Sequence, residues 1–143
     1  MAAVDKEGAS GFQTVASGLS LTAGSFVQAS ASNTVESLMA ANEEDYPLFD
    51  ARLQISSGTP TENVEVEIYV RGKADGTNEQ PAPSGAYKQT YVGRFVLDNT
   101  TGYYYAYDLR NIDKRGTFYL RSNEASTTLT ATLSIRMKTG DNV

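Results

Sequence analysis

The chain has 143 residues and contains no cysteine, histidine or tryptophan. Disulfides, thiolate zinc sites, imidazole ligands and the usual general base near neutral pH are thereby excluded. A net charge of −5 and a pI near 4.7 argue against generic binding to nucleic-acid phosphates, which needs clustered Lys and Arg, and suit a basic protein partner.

The length fits one domain with a core of useful size. No stretch approaches the roughly 18 apolar residues of a membrane span. The start, MAAVDKEGASGFQT, lacks a basic region followed by an apolar one, so synthesis and folding in a cytoplasm are expected.

Residues 1–45 are rich in Ala, Ser, Gly and Thr, with isolated large apolar residues at Phe12, Val15, Leu19, Leu21, Phe26 and Val27. Such a segment offsets its conformational entropy poorly on its own. Two readings stand level. It is an extended arm ordered on a partner surface, or it supplies short edge strands near 12–16 and 25–29. Within SNTVESLMAANEED, Asn33 is placed to cap a helix of two turns at most, with Glu36 three residues on and Val35, Leu38 and Met39 as its apolar face. The acidic run Glu43, Glu44 and Asp45 reads as a polar connector.

From Tyr46 onward the period is two. Phe49, Ala51, Leu53 and Ile55 alternate with Asp50, Arg52 and Gln54. Val64, Val66, Ile68 and Val70 alternate with Glu65, Glu67 and Tyr69, and Leu129, Ala131, Leu133, Ile135 and Met137 alternate with polar residues to Lys138. These are half-buried antiparallel strands. TYVGRFVLD and GTFYLRS add two more. Turn residues separate them, so residues 46–143 are expected to form an all-β antiparallel sandwich, jelly-roll-like. Residues 73–88 are polar and rich in Pro and Gly, which makes them an exposed loop.

Residues 100–110, TTGYYYAYDLR, place Tyr103, Tyr105, Tyr107 and Leu109 on one face of a strand and Tyr104, Ala106 and Asp108 on the other. The first set reads as a core-facing stripe ending in leucine. That reading is favoured over a ligand platform, for which the wet face would offer only Tyr104, beside Tyr69 or Tyr119. Glu65 and Glu67 are two residues apart on an exposed face, which gives neither the cleft nor the burial that carboxylate catalysis requires. DGTNE, with Asp75, Asn78 and Glu79, is too short for an EF-hand loop and reads as a Gly-centred turn. Nothing in the motifs asks for a cofactor or an enzymatic role.

The succession of VEVEIYVRG, a loop with DGTN and proline, YVGRFVLDNTT, a Tyr-rich strand, LRNIDKRGTFYLRSNE and a last alternating strand resembles small β-sandwich virion proteins of tailed bacteriophages and prophages. The resemblance spans about residues 46–138 and includes capsid decoration, or cement, proteins. It implies a non-enzymatic protein on the capsid exterior. Its partner would be the major capsid protein, and it would self-associate as a dimer or trimer. No catalytic residues are carried over. The expected contacts are Phe12, Leu19, Leu21, Phe26 and Val27 of the arm, and Asp75, Asn78 and Tyr87 of the long loop. Deleting residues 1–30 would then abolish capsid binding and leave the sandwich folded. A neck, tail or baseplate station, or a carbohydrate-binding adsorption module using Tyr104, Tyr69 and Tyr119, are the alternatives.

Overall fold

The computed structural model describes residues 7–88 and 90–139. Its eight strands are β1 (Gln13–Leu21), β2 (Phe26–Gln28), β3 (Leu48–Ser57), β4 (Glu65–Arg71), β5 (Tyr91–Val96), β6 (Gly102–Arg110), β7 (Thr117–Ser122) and β8 (Leu129–Lys138). They form two four-stranded antiparallel sheets, ordered β1-β8-β3-β6 and β2-β7-β4-β5. The protein is an all-β sandwich.

The pairing is nested. β1 lies against β8, β2 against β7, β3 against β6 and β4 against β5. The two halves of the chain run side by side as one long ribbon, and successive rungs fall alternately in the two sheets. The β3–β8 and β4–β7 pairings join the rungs laterally.

The period of two places the core where the alternation requires it. Phe49, Ala51, Leu53 and Ile55 of β3 are buried, as are Val66, Ile68 and Val70 of β4 and the whole apolar row of β8 from Leu129 to Met137. Phe49 of one sheet meets Phe118 of the other edge-on, with ring centroids 5.7 Å apart. Each fully buried Leu or Phe contributes roughly 1.5–3 kcal/mol, so these rows hold the two layers together.

The described part of residues 1–45 takes the edge-strand form rather than that of an extended arm. β1 closes one side of the first sheet and β2 one side of the second. Val15 and Leu21 are fully buried, and Leu19 and Val27 pack against the core. The register of β1 against β8 slips twice, between Thr14 and Ala16 and between Ala16 and Leu19. Each slip inserts one extra residue on β1, and Gly18 lies within the second with φ of 64°. Two slips restore the original parity, so Leu19 and Leu21 again face inward. A truncation of residues 1–30 therefore removes core residues, and the folded remnant expected from an arm does not follow.

The short helix α1 (Val35–Leu38) begins one residue later than Asn33 would place it. Thr34 is the cap, and its hydroxyl and that of Ser37 close a reciprocal capping box. Asn33 instead donates its side-chain amide to the Val15 carbonyl, 2.8 Å away. The acidic run is more than a connector. Glu43 is buried in a 3₁₀ turn and accepts the Ser10 amide at 3.2 Å. Hydrogen bonds from Ser10 hold its carboxyl below the usual range despite burial. That contact anchors the segment ahead of β1, where the Gly8 amide reaches the Met137 carbonyl at 2.8 Å.

The largest departure from expectation is in β6. Ala106 pairs with Ala51 and Leu109 with Phe49, so β6 carries one residue more than β3 between them. Asp108 absorbs it with a left-handed φ of 59°. The bulge inverts the parity of the strand. Leu109 points inward, and so do Tyr104 and Ala106 on the other side of the bulge, while Tyr103, Tyr105 and Tyr107 face solvent. The core-facing tyrosine stripe is thus corrected to an outward one.

Candidate functional site

The outward tyrosines stand on the edge strand of the first sheet, and their exposures are 57%, 44% and 62% for Tyr103, Tyr105 and Tyr107. Large exposed rings on one strand are unusual enough to mark a contact surface. Register builds the rest of the face. Tyr105 lies opposite Arg52 and Tyr103 opposite Gln54. On the far side of β3, Arg52 is opposite Ser134 and Asp50 opposite Arg136.

Phe12, just ahead of β1, lies over the middle of this face. Its ring meets Tyr105 edge-on at 6.1 Å. The guanidinium groups of Arg52 and Arg136 sit 4.9 and 4.8 Å from its centroid. Arg52 also lies 5.4 Å from the Tyr103 ring. Tyr105 and Tyr107 are nearly parallel, 10° apart in plane and 5.9 Å between centroids, and the Lys138 ammonium is 5.9 Å from Tyr107. Each cation–ring contact is worth roughly 0.5–1 kcal/mol at an exposed site. The result is a continuous ladder of rings and guanidinium groups crossing the sheet from β1 to β6.

A buried charge cluster holds the ladder in place. Asp50 is fully buried, and its carboxylate is 2.8 Å from Arg136 and 2.9 Å from Lys138. It also accepts the Asp108 amide at 3.1 Å, at the bulge itself. Lys138 reaches Asp108 at 2.5 Å, and Glu7 binds the other arm of Arg136 at 3.1 Å. Burial pushes the Asp50 carboxyl up, but hydrogen bonds from Arg136 and Lys138 outweigh it and hold the group below the usual carboxylate range. The same bonds to Asp108 and Asp50 overcome desolvation and raise Lys138. Among the described residues Arg52 forms no ion pair, so its charge stays available to a partner.

Of the residues expected to make contacts, Phe12 belongs to this face. Leu21 is core and Leu19 half-buried beside it. Phe26 and Val27 lie on β2, in the other sheet. Phe26 covers Tyr69 at 5.2 Å, with the Arg121 guanidinium 5.4 Å from its ring. Tyr69 is fully buried by such neighbours, and its hydroxyl donates to Glu67 at 2.7 Å. Burial and that bond raise its pKa. Tyr119 is also buried, and the Tyr104 hydroxyl donates to Asp98 at 2.6 Å. Tyr104, Tyr69 and Tyr119 therefore form no shared platform. Glu65 and Glu67 are paired with Arg94 at 3.0 Å and Arg121 at 3.4 Å.

Asp75 and Asn78 form a self-contained turn. Asp75 accepts the amides of Thr77 and Asn78 at 2.8 and 2.7 Å and the Asn78 side chain at 2.8 Å. Those backbone bonds pull its carboxyl down to about 2. Tyr87 closes a separate small turn with Ser84, its amide 3.2 Å from the Ser84 carbonyl. Neither turn touches the tyrosine face. Among the described residues no group of three or more Asp, Glu, His or Cys is placed to hold a metal ion, and no helix is long and apolar enough to cross a membrane.

Sequence reasoning missed Tyr103, Tyr105, Tyr107, Arg52, Arg136 and Lys138 as one surface. The tyrosine run was visible, but its direction depends on one inserted residue. No protein-family model matches the chain, and no curated protein matches it either.

Proposed function

We propose that the protein is a non-enzymatic binding module that docks on a protein lattice through the outer face of its first sheet. Its most specific form is a capsid decoration protein on the exterior of a phage head, bridging major capsid subunits. The single observation that carries the docking reading is the exposed ladder of Phe12, Tyr103, Tyr105 and Tyr107 interleaved with Arg52. Tyrosine and arginine dominate binding hot spots because a ring offers large rigid area and a guanidinium adds directed hydrogen bonds. Here both are pre-ordered on a sheet, which lowers the entropy lost on docking.

The nested strand pairing also supports this reading. Two four-stranded sheets ordered β1-β8-β3-β6 and β2-β7-β4-β5 support reading the sandwich as a jelly roll, a rigid scaffold common in capsid and lectin domains. The resemblance to phage virion proteins supplies the capsid as partner. Attachment at many lattice positions, or self-association as a dimer or trimer, would multiply weak contacts through effective concentration.

The test is co-sedimentation of the purified chain with empty heads of the phage that encodes it. Replacing Tyr105 and Tyr107 together by serine is expected to weaken binding by at least about tenfold, with an unchanged thermal melt. Unchanged binding would remove the tyrosine face from the contact. The parallel Tyr105 and Tyr107 rings also favour a second reading, stacking on sugar rings during host adsorption. Under that reading, glycan-array binding is lost in the same variant while head binding is absent throughout.

A further inference from the structure

Independently of the tyrosine face, a polar pocket of about 270 Å³ opens where β4 ends and β7 begins. Arg71 and Thr117, a cross-strand pair, form its floor. Lys73, Arg115, Glu79 and Ser32 complete the wall used here. Three cations thus surround one carboxylate, in a chain whose net charge is −5. A local excess of positive charge against the overall sign of a protein focuses anions.

The hydrogen bonds sharpen this. Arg71 is engaged, with Nη1 2.7 Å from Glu79 and Nε 2.7 Å from the Gln80 carbonyl. The neighbouring carboxylate, Asp113, is spent on the backbone. It accepts the Lys73 amide at 2.5 Å and the Arg115 amide at 3.0 Å. The Arg115 guanidinium lies 3.9 Å from it, beyond hydrogen-bond distance, and its Nε is buried without a hydrogen-bond partner. A second arm of Arg115 donates to the Ala74 carbonyl. Among the described residues the Lys73 ammonium has neither a hydrogen-bond nor an ion-pair partner. Lys73 and Arg115 therefore line the pocket with no carboxylate hydrogen-bonded to either side chain.

We propose that this pocket is an oxyanion-binding site, with Lys73 and Arg115 as the primary ligands and Glu79 as the chain's own occupant on Arg71. The ligand class is a carboxylate or phosphate group, free or carried on a larger body, since the space exceeds the roughly 30 Å³ share of a water molecule several times over. Arginine supplies directed donors and lysine a mobile point charge, the pairing that oxyanions take up best. An incoming anion bonds to Lys73 and Arg115 and competes with Glu79 for Arg71.

The experiment is amide NMR titration of the full chain with two probes, inorganic phosphate and a short capped peptide containing two glutamates. Either probe is expected to move the Lys73, Arg115 and Thr117 amides. Response to phosphate marks a site for free oxyanions, and response to the peptide alone marks one for a partner's carboxylates. The Lys73→Ala, Arg115→Gln double variant should bind at least about tenfold more weakly. Glu79→Gln, which removes the internal competitor, should bind a few-fold more tightly. The proposal is overturned if neither probe moves these amides in the wild type, or if the double variant, still folded by its amide spectrum, responds equally. Weaker binding in Glu79→Gln would also contradict it, because Glu79 would then be part of the site rather than its rival.

Discussion

At the residue scale the decisive group is Asp50. It lies on the solvent side of β3 in the alternation, yet it is fully buried, because Arg136, Lys138 and the bulge at Asp108 close over it. A buried carboxylate is tolerated when its partners saturate it, and removal of one partner leaves uncompensated charge. Asp50→Asn leaves Arg136 with Glu7 and Lys138 with Asp108 but removes the buried anion they share, and is expected to cost roughly 1–3 kcal/mol, read by chemical denaturation. The pH dependence follows from the direction of the shift. The folded-state pKa of Asp50 is lowered, so its contribution is fully present above its unfolded value of about 3.9. It is lost as pH falls through the folded value. The wild type should lose more stability than Asp50→Asn across that acid limb. Parallel acid limbs would show that Asp50 is not the group responsible. Nothing in the pattern around Asp50 distinguishes it from Gln54, the next outward residue but one on the same strand. The difference comes from β8 and β6, which approach from far along the chain.

At the element scale, strands with an unbroken period were legible and strands with bulges were not. β3, β4 and β8 alternate in sequence along their apolar rows, and those rows are buried where the apolar residues predict, with Asp50, Tyr69 and Ser134 buried between them as well. The slip of β3 against β8 falls only at its end, between Ile55 and Ser57. β1 contains two register slips and β6 one. A slip leaves little trace in composition, since Asp108 has no special residue type to announce its left-handed φ, although Asp tolerates that region better than most. Leu109, read as the end of the tyrosine stripe, belongs to the opposite face. Turn glycines were more readable. Gly58, between β3 and β4, has φ of 85°, and an added Cβ would lie 2.5 Å from the Thr128 carbonyl oxygen. Gly58→Ala is therefore expected to destabilise the fold by at least roughly 1–3 kcal/mol, measured by thermal or chemical melting. The edge-strand role of residues 13–28 carries a prediction as well. Deleting residues 1–30 takes Val15, Leu21 and both edge strands. Loss of the cooperative melt is expected, whereas an intact melt would show the edge strands to be dispensable.

At the scale of the whole molecule the sandwich has two dissimilar outer surfaces. On the β4 side Tyr69 is covered, shielded by Phe26 and Tyr91 and tied to Glu67, and of the large rings there only Tyr91 is open, at 44%. On the β3 side they are open, and a buried ionic cluster keeps them ordered. That difference is the basis of the proposal that the β3 side is the docking face. The sandwich class was legible because it needs only alternation and turns. The aromatic ladder proposed as the docking face was not, because it needs the register of four strands and the course of Phe12 across them.

The capsid-decoration proposal is tested most directly by cryo-electron microscopy of phage heads incubated with the purified chain. The expected result is sandwich-shaped density at regular positions on the capsid exterior, with Tyr103, Tyr105 and Tyr107 turned toward the shell. A bare shell, or density attached through the β2-β7-β4-β5 sheet with the tyrosines facing solvent, would contradict it.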